Sequence, residues 1–77
     1  MNHNCAVCTT LWQEYANATH AHIAIEAKLE VAQLQHDQEA MQRLLVEAQR
    51  ASDRRTQCRI RVAEHEQNTH ALAAKQG

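Results

Sequence analysis

Small and apolar residues recur along this chain at alternating intervals of three and four. This spacing places them on one side of an α-helix, in the heptad pattern by which one helix packs against another. The pattern occurs in two runs, which we call seam 1 and seam 2. Seam 1 comprises Leu11, Tyr15, Ala18, His22, Ile25, Leu29 and Ala32. Seam 2 comprises Met41, Leu44, Ala48, Ala51, Arg55, Cys58, Val62, His65, Thr69 and Leu72.

The two seams are out of phase with each other. Extending seam 1 past its end gives only one apolar position among the next four, which are His36, Glu39, Arg43 and Val46. We therefore predict two helices, over 10–36 and 37–75, with a turn near residues 35–38. Thr10 and Asp37 are the predicted N-caps, because short polar side chains satisfy the free N–H groups of a first turn.

The predicted fold class is all-α, an antiparallel and coiled-coil-like helical hairpin. It forms a single domain over 1–77, with a non-helical segment over 1–9. Pairing across a turn near residue 37 brings Glu14 opposite Arg61 and Glu26 opposite Arg50, so opposite charges support this register. His22 and Arg55 fall on the seams as a predicted polar layer that fixes the register. One continuous kinked helix is the alternative, because neither Gly nor Pro marks the turn.

Helix 1 carries a second apolar set, about 130° around its axis from seam 1. We call it the outer stripe, and its members are Trp12, Ala16, Ile23, Ala27 and Leu34. Two helices form one layer and leave such a stripe in water, so it calls for a cover. The simplest cover is a second copy of the chain. This predicts a homodimer that forms a four-helix bundle, with another protein as a possible partner.

The composition argues against several classes of protein. The chain has 77 residues, no Phe and no Pro, and a domain of this size usually needs a metal, disulfides or oligomerisation. Its formal charge of −1 gives no global attraction to nucleic acid or membrane. Three Cys is an odd number, which argues against a secreted disulfide framework. With no signal peptide and no apolar run long enough for a bilayer, we expect a cytoplasmic protein without membrane contact.

The sharpest local motif is Cys5-Ala-Val-Cys8, because Cys-x2-Cys forms half of many zinc sites. In the hairpin, His65 and His70 fall at the same end, so the predicted zinc ligands are Cys5, Cys8, His65 and His70, with His70 ranked ahead of His65. Residues five apart on a regular α-helix diverge by about 140°. The helix would therefore have to fray near Asn68, or Glu66 or His3 would replace one of the histidines. Two alternatives stay open, namely free thiols on a loose N-terminus and a redox-responsive thiol–zinc regulator.

A row of arginines on helix 2 is the other candidate site. It consists of Arg43, Arg50, Arg54 and Arg61. Such a row could bind phosphates, which makes a small nucleic-acid-binding regulator the alternative function. We favour a solvated face with ion pairs inside the chain, because the net charge is unremarkable for a nucleic-acid binder.

Cys58 is predicted to be a small buried hydrophobe. No combination of residues indicates an enzyme, so the expected function is a non-catalytic protein-interaction or structural/regulatory module.

Overall fold

The chain folds as two long helices packed against each other. A computed structural model describes the backbone of residues 5–71 and the side chains of residues 5–68. Helix α1 spans Ala6–Leu34, helix α2 spans Gln38–His65, and a π-helix over Glu66–Ala71 continues directly from α2. The predicted antiparallel hairpin is confirmed, and the continuous helix is not what the chain forms. None of the helices in the described part is long and apolar enough to cross a membrane.

The two seams form the contact between the helices, as predicted. The buried residues of α1 and α2 are Cys8, Ala18, Ala32, Leu44, Ala48, Cys58 and Val62. All except Cys8 belong to a seam, and the other seam positions through His65 are half-buried. Thr69 and Leu72 lie outside the described side chains. Because the buried residues are mostly Ala and Cys, this core is thin, and burial alone stabilises such a domain only marginally.

Helix α1 begins four residues earlier than predicted, so Thr10 as its N-cap is wrong. The N-cap is Cys5, whose backbone is extended and whose Sγ accepts a hydrogen bond from the Cys8 N–H at 3.3 Å. Residues 6–9, predicted to be non-helical, form the first turn of α1. Residues 1–4 lie outside the described part. A thiol satisfies one of the free N–H groups here in place of the usual oxygen acceptor.

The turn is a Schellman motif followed at once by a capped helix. The Asp37 N–H donates to the carbonyl of Ala32 at 3.0 Å, and the His36 N–H donates to that of Gln33 at 3.2 Å. His36 takes the left-handed conformation at φ 57°, which glycine usually supplies at this position. His is one of the few other residues enriched there. Asp37 Oδ1 then accepts from the Ala40 N–H at 3.1 Å, which confirms the predicted N-cap.

Polar pairs link the two helices, and one of the two predicted ion pairs forms. Arg61 Nη2 lies 3.5 Å from Glu14 Oε1, which confirms that pair. The predicted pair of Glu26 with Arg50 does not form among the described residues, and Glu26 instead lies 3.9 Å from Nε2 of His22 on its own helix. Arg55 Nη1 donates to Nδ1 of His22 at 3.3 Å, so the two polar seam residues do meet. Since Arg can only donate, this bond places the imidazole proton on Nε2, facing Glu26.

Helix α2 ends as an α-helix at His65, and the backbone then widens into the π-helix. We predicted a single regular helix here, because heptad spacing does not indicate a π-turn. The predicted end at residue 75 lies outside the described part of the chain.

Candidate metal centre

Two sulfurs and one nitrogen meet at the open end of the hairpin. Sγ of Cys5, Sγ of Cys8 and a ring nitrogen of His65 all lie within 4.8 Å of one another. The direct separation between Cys5 Sγ and His65 Nε2 is 3.5 Å, across 60 positions of sequence. The start of α1 and the end of α2 therefore contribute to one cluster. Sulfur and imidazole nitrogen are the donors that zinc prefers in structural sites.

Local structure explains why the two cysteines converge. Cys5 is the N-cap of α1 and Cys8 is the third residue of the helix, so the capping bond draws the Cys5 sulfur back over the first turn. A capping box uses the same spacing, in which N-cap and N3 side chains reach towards each other's backbone. The Cys-x2-Cys spacing thus marks the start of a helix as well as a metal site. The helix start was not predicted from it, because Cys is not a usual N-cap.

Seam 2 positions His65 beside the two cysteines. His65 occupies the seam 2 position that follows Val62, at the last residue of α2. The antiparallel register brings this residue opposite the first turn of α1, where both cysteines lie. The cluster is only partly shielded from solvent, since Cys8 is buried while Cys5 and His65 are half-buried. A metal could therefore enter without unfolding of the hairpin.

The separations fit a single tetrahedral zinc ion. With Zn–S about 2.3 Å and Zn–N about 2.0–2.1 Å, tetrahedral angles put sulfur and nitrogen about 3.5 Å apart and two sulfurs about 3.8 Å apart. The observed Cys5–His65 separation of 3.5 Å matches the first value. The other two pairs lie within 4.8 Å, so they exceed the ideal separation by at most about 1 Å for the two sulfurs and about 1.3 Å for Cys8 and His65. The three residues can therefore hold a metal ion with small side-chain movements.

The thiol of Cys8 keeps its proton strongly in the absence of metal. A hydrogen bond with the Cys5 side chain is the main reason that the pKa of Cys8 rises to about 11. Burial raises this pKa further, and so do the negative charges of Cys5 and Glu66. At neutral pH, Cys8 is thus a neutral thiol. A metal cation must displace this proton to bind, because the thiolate is the ligand.

Of the predicted ligands, the structure brings together Cys5, Cys8 and His65. His70 was predicted ahead of His65, but its side chain lies outside the described residues, and so does His3. Glu66 is half-buried, and its carboxylate lies near enough to Cys8 to affect the thiol. The third cysteine, Cys58, is buried in seam 2 with 7% of its surface exposed, as predicted for a small hydrophobe.

The outer stripe is exposed in the single hairpin. Its three large side chains are Trp12, Ile23 and Leu34, with 50%, 57% and 75% of their surfaces exposed. Ala27 is exposed and Ala16 is half-buried. The Trp12 ring makes an edge-to-face contact with Tyr15, at 6.1 Å between centroids. The hairpin therefore presents, along the length of α1, a row of large apolar side chains that its own second helix does not cover.

The arginine row is partly neutralised within the chain. Arg43 pairs with Glu47 at 3.8 Å, and Arg61 pairs with Glu14 at 3.5 Å. Arg50 and Arg54 are exposed and border an open groove between the helices. Two of the four predicted phosphate-binding residues thus have an acidic neighbour, as expected for a solvated face with intramolecular pairing.

Comparisons with protein-family models, with curated proteins and with solved structures found no match. The side chains of the chain itself, above all the cluster at the open end, therefore indicate its function.

Proposed function

We propose that this chain is a non-catalytic, zinc-stapled helical module that self-associates through its outer stripe. The observation that carries the proposal is the convergence of Cys5, Cys8 and His65 from opposite ends of the sequence. In a chain with so thin a core, a metal that joins both helices supplies stability that burial does not. The grooves along the described hairpin are open to solvent, which suits a structural or regulatory role better than chemistry that must exclude water.

The proposed zinc acts as a cross-link. It joins residues 60 positions apart, and the chain-entropy relation gives about 4 kcal/mol for closing a loop of that length. Each helix has its own N-cap, Cys5 Sγ for α1 and the Asp37 side chain for α2. Zinc would therefore not create the helices. It would hold their free ends together and determine how often the hairpin opens.

Native mass spectrometry and thermal melts test the zinc site together. Protein purified without chelator should carry about one zinc per chain, as a structural site implies. Chelator should lower the melting temperature, and Cys5→Ser with Cys8→Ser should abolish both the zinc and the difference. Cys58→Ala is the matched control, because this thiol belongs to seam 2 and should leave the stoichiometry unchanged. If added zinc leaves the melting temperature of metal-free protein unchanged and both N-terminal thiols react freely, the cluster holds no metal.

The outer stripe supports the self-association part of the proposal. Covering it with a second hairpin gives the predicted dimeric four-helix bundle, in which the large side chains of the stripe become core. Ile23→Glu should convert the dimer to a folded monomer, because Ile23 is more than half exposed in the single hairpin but would be buried in the bundle. Ala24→Glu is the control, since Ala24 is also exposed but lies about 100° around the helix.

Sedimentation at several protein concentrations, with circular dichroism for helix content, gives the readout. Wild-type protein and Ala24→Glu should sediment as dimers and Ile23→Glu as a helical monomer. A wild-type chain that sediments as a stable monomer at micromolar concentration contradicts self-association. That result would leave the zinc proposal standing, because the metal site belongs to a single hairpin.

A further inference from the structure

The outer stripe repeats every eleven residues, whereas seam 1 on the same helix steps by three and four. Its large side chains, Trp12, Ile23 and Leu34, are eleven positions apart, and half or more of each is exposed. Ala16 and Ala27 have the same separation. Eleven residues make three turns of about 3.67 residues, so the stripe drifts only about 20° around an α-helix per repeat. Since α1 is one helix over this length, the stripe runs nearly straight along it.

Two polar residues complete the row. Thr19 is half-buried and Glu30 is exposed, and they too are eleven positions apart. Glu30 lies eighteen residues from Trp12, which is about five whole turns, so both share one face of α1. The row then consists of residues 12, 16, 19, 23, 27, 30 and 34. Its intervals are the same from either end, with Ile23 at the centre, so the row matches itself when one copy is reversed.

The charge of Glu30 distinguishes the two ways in which the stripe can face itself. A two-fold dimer uses the same patch on both copies. In a parallel pair, Glu30 would lie against Glu30 of the second copy, and like charges that meet in an interface are unfavourable. In an antiparallel pair, Glu30 lies against Ala16 of the second copy. The two Glu30 residues are then about 21 Å apart along the axis, well beyond the Debye length of about 8 Å.

The sizes of the facing side chains favour the same orientation. A parallel pair sets Trp12 against Trp12 and Ala16 against Ala16, so its widest layer lies next to its narrowest. An antiparallel pair sets Trp12 against Leu34 of the second copy, and Ala16 against the longer Glu30. Its layers are more even in size, which two nearly straight helices need if the contact is to pack as densely as a protein interior.

We propose that two copies pair outer stripe to outer stripe in antiparallel orientation, about a two-fold axis at Ile23. This inference rests on the self-association part of the proposed function and specifies its geometry. Cys8 lies fifteen residues from Ile23 along α1, so the axis separates the two metal centres by about 45 Å. The dimer then carries one centre at each end, and each hairpin binds its own metal ion. A parallel dimer would bring both centres to the same end.

Disulfide cross-linking between copies tests the orientation. Ile23→Cys lies at the axis and should link the copies in either orientation. Ala16→Cys keeps Glu30 in place and should link only a parallel pair, because the antiparallel pair holds its two thiols about 21 Å apart and a disulfide needs Cα atoms within about 7 Å. Mild oxidation with zinc present, followed by non-reducing electrophoresis, gives the readout. Wild-type protein, with three native thiols, gives the background.

The antiparallel dimer predicts one further link, which forms only between different chains. Ile23→Cys should give a covalent dimer, and Ala16→Cys alone should stay at the wild-type background. When the Ala16→Cys chain is mixed with a Glu30→Cys chain, a covalent heterodimer should form, because positions 16 and 30 face each other across the axis. Mass spectrometry identifies the heterodimer by the masses of its two chains, and circular dichroism confirms that each variant is helical.

The possible failures are distinct. If Ala16→Cys forms a covalent dimer as fast as Ile23→Cys does, the pair is parallel and the inference is overturned. The inference also fails if Ile23→Cys is cross-linked but the mixture gives no heterodimer. Both of these results leave self-association through the outer stripe standing. If helical Ile23→Cys gives no covalent dimer above background, the stripes do not face each other, and the self-association proposal fails together with the orientation.

Discussion

Replacing His36 by glycine should stabilise the protein, and the sign of this effect tests the topology. His36 is the left-handed residue of the Schellman turn, at φ 57°. A glycine has no Cβ to clash in that conformation, so His36→Gly removes strain from the folded state. In one continuous helix the same substitution would destabilise by roughly 1 kcal/mol, because glycine is a poor helix former. The two topologies therefore predict opposite signs.

The expected magnitude follows from two opposing terms. The left-handed conformation costs a non-glycine residue about 1–2 kcal/mol. Glycine makes the unfolded chain more flexible, so folding loses more conformational entropy, at a cost of roughly 0.5–1 kcal/mol. The His36 side chain is exposed, so little packing is lost with it. The net gain should be about 0.5–1 kcal/mol, which raises the melting temperature by a few degrees in a domain of this size.

Urea unfolding with and without chelator gives the assay, at one fixed protein concentration because any association shifts the apparent stability. Gln35→Gly is the matched control. Gln35 is also exposed, but its backbone is right-handed at φ −86°, so glycine there should destabilise by roughly 0.5–1 kcal/mol. If both substitutions destabilise to the same degree, His36 does not occupy a left-handed turn in solution.

Two further predictions concern the polar layer and the metal. Replacing both partners of the layer, with His22→Leu and Arg55→Leu, should leave the free energy of unfolding unchanged or raise it, whereas Arg55→Leu alone should lower it. Urea unfolding of the two variants and the wild type checks this. Zinc affinity should increase with pH through neutrality by about tenfold per unit for each proton displaced, because the pKa of Cys8, at about 11, keeps this thiol protonated until zinc binds. Titrations of zinc at three pH values, with proton release measured in weak buffer, test the second prediction, and an affinity independent of pH contradicts it.

The sequence predicted the helical architecture because that architecture depends on periodicity. The seams, the phase break and the Asp37 cap are each set by residue type and spacing, and the structure confirms all three. The ion pair between Glu14 and Arg61 followed from the register alone. Glu26 and Arg50 were predicted by the same argument, but His22 lies closer to Glu26 on its own helix, so local geometry decided that pairing.

The parts that could not be predicted all involve a residue in an unusual role. Cys5 caps a helix with sulfur, and His36 adopts a conformation that glycine normally takes. Propensity rules describe the commonest residue at each position, so they assigned the cap to Thr10 and counted the missing glycine against the turn. The π-helix has no signature in apolar spacing, so the single regular helix predicted over 37–75 did not include it. The metal cluster was predicted through its Cys-x2-Cys half and through the antiparallel register, which brings His65 to the same end of the hairpin.

The fixed turn at one end of the hairpin has a consequence for how the molecule opens. Contacts near His36 join residues close in sequence, whereas those at the other end join residues 60 positions apart. Without metal, the helices should separate progressively from their free ends, and backbone amides should exchange with solvent in a gradient that slows towards the turn. A zinc ion at the free ends would remove this gradient. Opening would then require one concerted event, and protection would become nearly uniform along both helices.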